Sequence, residues 1–361
     1  MSRLESQAIA PFAYDALPGR VVFAEGAARD RLGDEIERLG AGRILAIASE
    51  RDRPLLDELS APFAGRIAAS FHDVRQHVPV EVARAARAAA REAGADALLA
   101  LGGGSAIGTA KAVALDQPLP IVALPTTYAG SEMTPIWGLT EAERKTTGRD
   151  LAVLPRLVVY DPDLTRSLPP AVAVPSAMNA LAHCVEALYA VGANPVCSAL
   201  AVEGAGALAA GIPALADGGR TQALYGAYLA GVALAGAGTS LHHRICHVLG
   251  GAYGLPHAET HTVVLPQVLA FVAPAVAPRL APLAARLGAA DGVALAGALF
   301  DLADAQGAPT ALRAVGFPAG RRDDALELLL ALPREPREFE REDVARLLDG
   351  AIAGRRPGSQ P

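Results

Sequence analysis

The sequence contains few aromatic residues, and this scarcity limits what its core can be made of. Phe, Trp and Tyr make up 4% of the 361 residues, whereas hydrophobic residues reach 52% and charged residues 19%. The core must therefore be built mainly from Ala, Leu and Val. A chain of this length and composition indicates two folded domains and argues against extended disorder.

Cysteine is also scarce. Cys184, Cys197 and Cys246 are an odd number and form no CxxC pair. A disulfide scaffold is therefore not expected, and the composition favours a reducing cytoplasm. The N-terminal residues show no charged-then-apolar signal pattern. The most apolar window, residues 223–241, is rich in Ala and Gly and leads into two histidines, so we expect a buried helix rather than a membrane span.

Basic residues form no long run, and the net charge is −6. This charge balance argues against nucleic acid or an anionic membrane as a main partner. Only two lysines occur, Lys111 and Lys145, and the other 30 basic residues are arginines. Because arginine cannot supply a compact, titratable ammonium, both lysines are candidates for special roles.

Short apolar runs alternate with helical stretches in the first half of the chain. The apolar runs predict strands at 43–48, 66–71, 96–101, 120–124, 136–140 and 157–160. Helices are predicted between them, most clearly over 79–94 and 105–115. This alternation is typical of a parallel sheet that is covered on both faces. Beyond it only Ala- and Leu-rich helical stretches follow, so we predict an α/β domain over 1–165 and an all-helical domain over 166–361.

A run of glycines, Gly102-Gly103-Gly104-Ser105, stands between a predicted strand and a predicted helix. Consecutive glycines let a ligand approach the backbone, and free N–H groups at a helix N-terminus favour an anion. Ser105 can cap this helix or donate to a phosphate. The spacing is not GxGxxG, so a phosphate-binding loop and a tight turn without a ligand are equally open.

A second polar loop follows the next predicted strand. It places Thr126, Thr127, Tyr128 and Ser131 at the carboxyl end of that strand. Ligands bind at the carboxyl ends of strands in open α/β sheets, so this position favours a dinucleotide site. A polar surface loop is the alternative.

Histidines are concentrated in the second half of the chain. Four of the 8 fall within residues 242–257, and His243 and His247 lie four apart, on one face of a helix. His257 follows a Gly-rich turn. This density favours a functional site over buried histidines of the core.

A metal site is one use for these histidines. His183, His243 and His257 can supply three imidazoles to a divalent ion. Asn179 lies one turn before His183, where a carboxylate would complete the set, and an amide is a poor ligand for iron or zinc. Metal binding therefore stays open. Nearby polar side chains can orient the imidazoles, namely Glu186, Glu259 and His261.

These motifs together resemble the iron-containing (group III) alcohol dehydrogenase family. The family's motifs occur in order: Gly-Gly-Gly-Ser at 102–105, Pro-Thr-Thr through Gly-Ser-Glu at 125–132, Lys-Thr at 145–146, Asp-Pro-x-Leu-Thr-x-x-Leu-Pro at 161–169, and HxxxH with Pro-His at 243–257. The resemblance covers residues 19–271. It implies a Rossmann-like dinucleotide-binding domain followed by a helical catalytic domain, as in dehydroquinate synthase, with the active site in the cleft between them.

Three stretches, at 126–134, 179–183 and 242–261, are most similar to members that use NADH or NADPH to reduce a C=C bond. In those members the bond is conjugated to a carbonyl in a small dicarboxylate, an intermediate of bacterial aromatic-compound breakdown. Asn179 stands where alcohol-oxidising members carry a metal-binding Asp, so we expect iron or zinc not to be required. Ser49 stands where NAD-preferring members carry an Asp, so we expect both NADH and NADPH to serve.

The resemblance implies roles for individual residues. The expected cofactor-binding residues are Ser49, Gly102, Gly103, Gly104, Ser105, Thr126, Thr127, Ser131 and Lys145. Because negative charge develops as hydride is added, we expect His243, His257 and Lys145 to stabilise it, and His247 to donate the proton. The expected substrate contacts are Tyr128, His183 and Arg244. A metal, if bound, is expected at Asn179, His183, His243 and His257.

Other functions remain open for this sequence. A metal-dependent alcohol or polyol dehydrogenase of the same family is the main alternative, and its metal content and oxidation of simple alcohols would distinguish it. A lyase that uses the dinucleotide transiently and a non-catalytic nucleotide-binding protein are further alternatives. We expect a cytoplasmic homodimer that does not bind nucleic acid or membranes.

Overall fold

The computed structural model describes residues 11–141 and 144–358, without the side chains of Arg144 and Lys145. The strands are β1 (Arg20–Phe23), β2 (Ile44–Ile47), β3 (Ile67–Phe71), β4 (Ala97–Gly102), β5 (Ile121–Pro125), β6 (Ile136–Glu141), β7 (Arg144–Arg149) and β8 (Leu157–Tyr160). The helices are α1 (Ala27–Asp30), α2 (Leu32–Leu39), α3 (Arg53–Ser60), α4 (Val80–Glu92), α5 (Gly104–Ala114), α6 (Pro170–Ala187), α7 (Pro195–Gly211), α8 (Arg220–Ala237), α9 (Leu241–Tyr253), α10 (His257–Arg286), α11 (Gly292–Ala305), α12 (Arg322–Leu330) and α13 (Arg341–Ala353).

Six strands form one parallel sheet in the order β1-β8-β5-β4-β2-β3. Strands β2, β4, β5 and β8 are buried along their whole length. Alternate side chains of β4 lie on opposite faces of the sheet: Leu98 and Ala100 belong to one core cluster, and Leu99 and Leu101 to another. Burial on both faces is why these strands are continuous apolar runs, and the predicted α/β class is confirmed.

Two strands differ from the sequence-based prediction. The strand predicted at 136–140 forms, but it pairs with β7 in a separate antiparallel hairpin. The residues of this strand are only partly buried, so other elements do not pack against both faces of the hairpin. Strand β1 was not predicted, because it is a four-residue edge strand with only Val21 and Val22 between bulkier neighbours.

The second half of the described chain is helical. Helix α6 lies at its centre, packs against α7, α8 and α10, and is buried from Ala173 to Ala187. A helix buried on all sides has no solvent-facing polar stripe, which explains the Ala-rich sequence of α6, and its buried polar residues Asn179, His183 and Glu186 belong to the site described below. One core cluster runs from the sheet into these helices. The division at residue 165 therefore stays a prediction.

Two helical segments are long and apolar enough to cross a membrane by length and composition, Pro195–Ala214 and His257–Arg286. The pair α8 and α9, bent by 100°, passes the same test together. In the structure α7, α8 and α10 pack against α6, and most of α8 is buried, as predicted for residues 223–241. Independence from membranes stays a prediction.

Candidate active site

The glycine turn lies at the carboxyl end of β4, where α5 begins. Gly102 has a φ of +145°, a conformation that side chains rarely adopt. A Cβ on Gly103 would lie 2.9 Å from Thr127, so the turn packs directly against the next loop. Gly104 is exposed, with open space where a side chain would be. The first N–H groups of α5 are thus accessible to an anion, as a phosphate site requires.

The loop after β5 lies beside this turn. The backbone N–H of Thr126 donates to the carbonyl of Gly102 at 3.1 Å, and Thr127 covers Gly103. The same loop reaches the helical half of the chain, where Nε2 of His183 lies 3.3 Å from the carbonyl oxygen of Ala129. One loop therefore connects the glycine turn to the histidines.

Ser49 follows β2 at the same edge of the sheet. Its hydroxyl donates to the Asp52 carboxylate at 2.7 Å, and Asp52 Oδ2 lies 3.9 Å from the Cβ position of Gly102. Asp52 was missed in the sequence because it stands three residues beyond the position where the family places a carboxylate. A carboxylate is therefore present beside the turn although residue 49 is Ser. Arg51 contacts Asp52 at 3.2 Å, and Arg53 is exposed.

Lys111 is the second residue missed as part of the site. It is fully buried on α5, and its ammonium donates to the carbonyls of Ser131, Thr134 and Ile136 at 2.6, 2.7 and 2.8 Å. Burial lowers the pKa of Lys111 to about 7. Three donors meet three carbonyls, so Lys111 anchors the loop that carries Ser131. The side chain of the other lysine, Lys145, lies outside the described residues, and its predicted roles stay predictions.

Six histidines from three helices meet beyond that loop, as the sequence predicts for its two clusters. The ring centroids of His183 and His243 are 4.9 Å apart, and those of His243 and His261 are 4.6 Å apart. The ring centroid of His257 lies 4.3 Å from that of His261 and 6.1 Å from that of His247. The cluster thus extends from buried His183 to the exposed rings of His247 and His257.

Glu186 and His243 form a buried pair. One carboxylate oxygen of Glu186 hydrogen-bonds Nδ1 of His243, and the other accepts the backbone N–H of His242 at 2.7 Å. Burial raises the pKa of Glu186, but the charge and hydrogen bond of His243 outweigh it and bring the pKa to about 2. Glu186 is therefore ionised at neutral pH. Nε2 of His243 is buried and has no partner among the described residues, so it is available to a ligand.

The other buried histidines are neutral. Burial lowers the pKa of His183 and of His242 to about 3, and the pKa of His261 well below its usual value. Nε2 of His242 and Nδ1 of His261 are 2.9 Å apart and share one proton. A neutral imidazole carries one donor and one acceptor, so these rings offer N–H groups without bringing charge.

The four positions that the family resemblance implies for iron include an amide, Asn179, where alcohol-oxidising members carry a carboxylate. Nε2 of His183 faces the carbonyl oxygen of Ala129, which favours a proton on that nitrogen, and Nδ1 of the same ring has no partner among the described residues. Nδ2 of Asn179 lies 3.5 Å from Nε2 of His183, and its neutral oxygen replaces a carboxylate. The donor set therefore lacks the charge of a carboxylate at this corner, whereas Nε2 of His243 has no partner among the described residues.

One of the expected substrate contacts, Tyr128, differs in the structure, and a second, Arg244, does not. Tyr128 does not line the site: its ring is fully buried, and its hydroxyl donates to Thr165 at 3.4 Å. A large apolar ring is more stable in the core than beside a charged substrate. Arg244 is partly exposed and lies 3.8 Å from Glu335, with Nη1 buried and unpartnered among the described residues. It remains a candidate for binding a carboxylate.

A glycine turn at the carboxyl end of a parallel sheet, connected by one loop to a buried histidine site, is the arrangement of a nicotinamide-dependent oxidoreductase with an α/β half and a helical half. Models of iron-containing alcohol dehydrogenase match residues 18–162, and models of the C-terminal part of the Fe-containing alcohol dehydrogenase family match residues 173–352. The chain belongs to the iron-containing alcohol dehydrogenase family.

Within this family the chain is similar to proteins named maleylacetate reductase. The protein of Pseudomonas sp. strain P51 is 45% identical over 352 residues, which cover 96% of this chain and 99% of the relative. The crystal structure of maleylacetate reductase from Agrobacterium tumefaciens is 44% identical, with a TM-score of 0.91 over 97% of this chain and 100% of that one. The enzyme of Rhizobium sp. strain MTP-10005 is 43% identical, with a TM-score of 0.90 over 96% and 99%.

Proposed function

We propose that this protein reduces the carbon–carbon double bond of maleylacetate to give 3-oxoadipate, with NADH or NADPH as the reductant. The observation that carries the proposal is the Glu186–His243 pair, whose free Nε2 lies in a histidine site joined by one loop to the glycine turn. The near full-length similarity to proteins named maleylacetate reductase supports the same substrate.

Reduction of this double bond requires a hydride donor, a group that stabilises the developing negative charge, and a proton donor. In maleylacetate the alkene is conjugated to a ketone, so hydride addition at the far alkene carbon leaves an enolate. A bound NADH or NADPH, held by the glycine turn and the Thr126–Thr127 loop, supplies the hydride. The protein must stabilise the enolate oxygen and protonate the carbon next to the ketone.

His243 is placed to move the proton. The Glu186 carboxylate holds the proton on Nδ1, which fixes the ring orientation and leaves Nε2 facing the site. Because Glu186 is ionised, it stabilises the positive charge that the ring carries when Nε2 is protonated. His257 and the neutral N–H groups beside it stabilise the enolate. His247, at the exposed end of the cluster, passes protons between His243 and solvent.

The proposal includes a metal-independent reaction. Treating the purified enzyme extensively with EDTA and removing the chelator should leave maleylacetate-dependent oxidation of NADH unchanged, because Asn179 gives iron or zinc no charged ligand. The measurement is the fall in nicotinamide absorbance with maleylacetate, before and after chelation and with iron or zinc added back. Loss of activity that iron or zinc restores would instead support the metal-dependent alcohol dehydrogenase, as would oxidation of simple alcohols.

Cofactor choice provides a second test, centred on Asp52. Replacing Asp52 with Asn should raise kcat/KM for NADPH relative to NADH by about tenfold, since removing a carboxylate beside the turn removes repulsion of the 2′-phosphate and leaves Arg51 free to pair with it. The matched control is Asp57→Asn, an exposed carboxylate on the same helix that contacts Arg53. An unchanged cofactor ratio in Asp52→Asn would rule out this role for Asp52.

The remaining expectations belong to the same proposal. A dianionic substrate needs local cations in a chain of net charge −6, and Arg244 and Lys145 are the candidates. We propose a cytoplasmic homodimer whose partner is this small dicarboxylate, with no nucleic acid or membrane involved. Sedimentation of the full chain tests the assembly.

A further inference from the structure

Two consecutive residues just before α4 adopt a backbone conformation that their side chains disfavour. His77 and Val78 have φ angles of +61° and +47°, in the left-handed region. Valine is β-branched, so it is a rare outlier there, and holding it in this region costs conformational free energy. Residues of this kind persist only where the surrounding structure holds them, and they are common at ligand-binding sites. The conformation of Val78 therefore points to a role beside a ligand.

Thr140 of β6 holds this segment in place. Its backbone N–H donates to the carbonyl of Val78 at 3.1 Å, and its hydroxyl donates to the carbonyl of His77 at 2.9 Å. The side chain of Val78 is buried in a small apolar cluster with one residue from each of three elements, Ala83, Ala112 and Leu139. Helix α4, helix α5 and the β6–β7 hairpin thus hold the strained segment together.

Val78 lies directly on the backbone of α5. A Cβ on Gly108 would be 2.8 Å from Cγ2 of Val78, so position 108 has no room for a side chain while Val78 keeps this conformation. Gly104 lies one helical turn before Gly108 on the same face of α5, and open space faces it. Val78 therefore borders the space above the first turn of α5, where the phosphates of a dinucleotide are expected.

The strained segment also lies at the ligand-binding edge of the sheet. It follows β3, which is parallel to β2, and β2 is parallel to β4. The carboxyl ends of these three strands therefore lie at one edge, which carries Ser49 and the glycine turn. Residues 72–79 extend from this edge and continue into α4 at Val80. The left-handed turn is thus next to the cofactor side of the sheet.

We propose that Val78 is a positioning residue for the nicotinamide dinucleotide. Packed against Gly108, it fixes residues 72–79 as a wall of the cofactor site beside the open face at Gly104. A preformed wall reduces the ordering that must accompany binding of the dinucleotide. The contacts with Thr140 and Gly108 offset the cost of the left-handed conformation. This role concerns cofactor binding and does not depend on which substrate is reduced.

The test is titration of the full-length protein with NADH alone, followed by the fluorescence of the bound nicotinamide. Val78→Ala removes the contact with Gly108, and Gly108→Ala pushes Val78 away, so each should raise the Kd for NADH by about tenfold. The double variant Val78→Ala/Gly108→Ala places a methyl group in the space that the valine side chain leaves. Its Kd should return to within about threefold of the natural value. Val80→Ala, at the partly buried start of α4, is the control and should bind NADH normally.

A further variant separates positioning of the cofactor from stability of the fold. Glycine adopts a positive φ without cost, so Val78→Gly removes the side chain and the strain together. We expect Val78→Gly to unfold at about the natural temperature, yet to bind NADH as weakly as Val78→Ala. A purely structural role for Val78 would instead leave the NADH affinity of this folded variant unchanged.

Three outcomes would overturn the proposal. The first is natural NADH affinity in Val78→Gly and Gly108→Ala. The second is a double variant that binds NADH no better than the single variants, since the effect would then come from general disruption rather than from the contact between residues 78 and 108. The third is absence of NADH binding by the unaltered chain. Because maleylacetate is absent from the titration, a failure of the proposed reductase activity is distinguishable from each of these.

Discussion

His243→Ala should lower kcat for the reduction of maleylacetate by about 10²–10⁴-fold, the usual contribution of a positioned general acid. Its Nε2 is buried and unpartnered, and its Nδ1 is held by an ionised carboxylate, so no other described histidine has the same arrangement. Steady-state rates at saturating substrate and cofactor measure the effect.

Circular dichroism of His243→Ala checks that its helices remain folded. His72→Ala is the matched control, since that ring lies at the edge of the sheet on the carbonyl of Ala48. Unchanged turnover in His243→Ala would remove the residue from the mechanism.

Glu186→Gln separates positioning from structure. The amide keeps the shape of the side chain but removes the charge that stabilises a protonated His243. We therefore expect a lower kcat and a descending limb of the kcat–pH profile that moves to lower pH. A purely structural role would lower activity by the same factor at every pH. Glu186→Asp keeps the carboxylate charge but places it farther from His243, so it should restore part of the natural pH dependence of kcat.

Lys111→Met should destabilise the fold by about 2–4 kcal/mol near pH 7, because three buried carbonyls lose their donor. Urea denaturation followed by Trp137 fluorescence measures it, since this single tryptophan lies next to Ile136, one of the three acceptors. Arg91→Met is the control: the guanidinium of Arg91 is exposed and pairs with Asp116, so its loss should lower the free energy of unfolding by less than about 1 kcal/mol. Equal stability of Lys111→Met and the natural protein would show that the loop does not depend on Lys111.

The pH dependence of this difference has a defined sign. The pKa of Lys111 is about 7 in the folded protein and 10.5 in the unfolded chain, so between these values the unfolded state binds the extra proton. Stability of the natural protein relative to Lys111→Met should then rise with pH, by up to about 1.4 kcal/mol per unit. The rise begins near pH 7 and ends near pH 10.5. If the stability of the natural protein relative to Lys111→Met decreased between about pH 7 and pH 10.5, the burial of the Lys111 ammonium would be contradicted.

Much of the architecture could be predicted because it leaves a local trace. Continuous apolar runs such as 97–102 and 121–125 exist because both faces of a parallel sheet are buried. The glycine turn is visible because Gly102 needs a backbone conformation that other residues avoid. The spacing of His243 and His247 reveals a shared helix face before any partner is known. The hairpin of β6 and β7 was harder to predict, since a half-buried strand resembles the edge strand of a larger sheet.

The chemistry of the site was less accessible, because it depends on pairs that are distant in the chain. Glu186 and His243 are 57 residues apart, and Lys111 lies 20 to 25 residues from the carbonyls it binds. Nothing local distinguishes Tyr128, which turns into the core, from its neighbours that face the cofactor edge. Likewise, Asp52 reaches the glycine turn only because β2 and β4 are adjacent in the sheet.

The sequence by itself therefore determined the α/β and helical classes, the glycine turn and the concentration of imidazoles, since each follows from backbone conformation or from the period of a helix or strand. Only the tertiary structure decided which nitrogens are free. Hydrogen bonds with Ala129, Glu186 and His242 occupy one nitrogen each on His183, His243 and His261. Those partners come from other elements of the fold, and they determine which imidazole nitrogens can exchange a proton with a substrate.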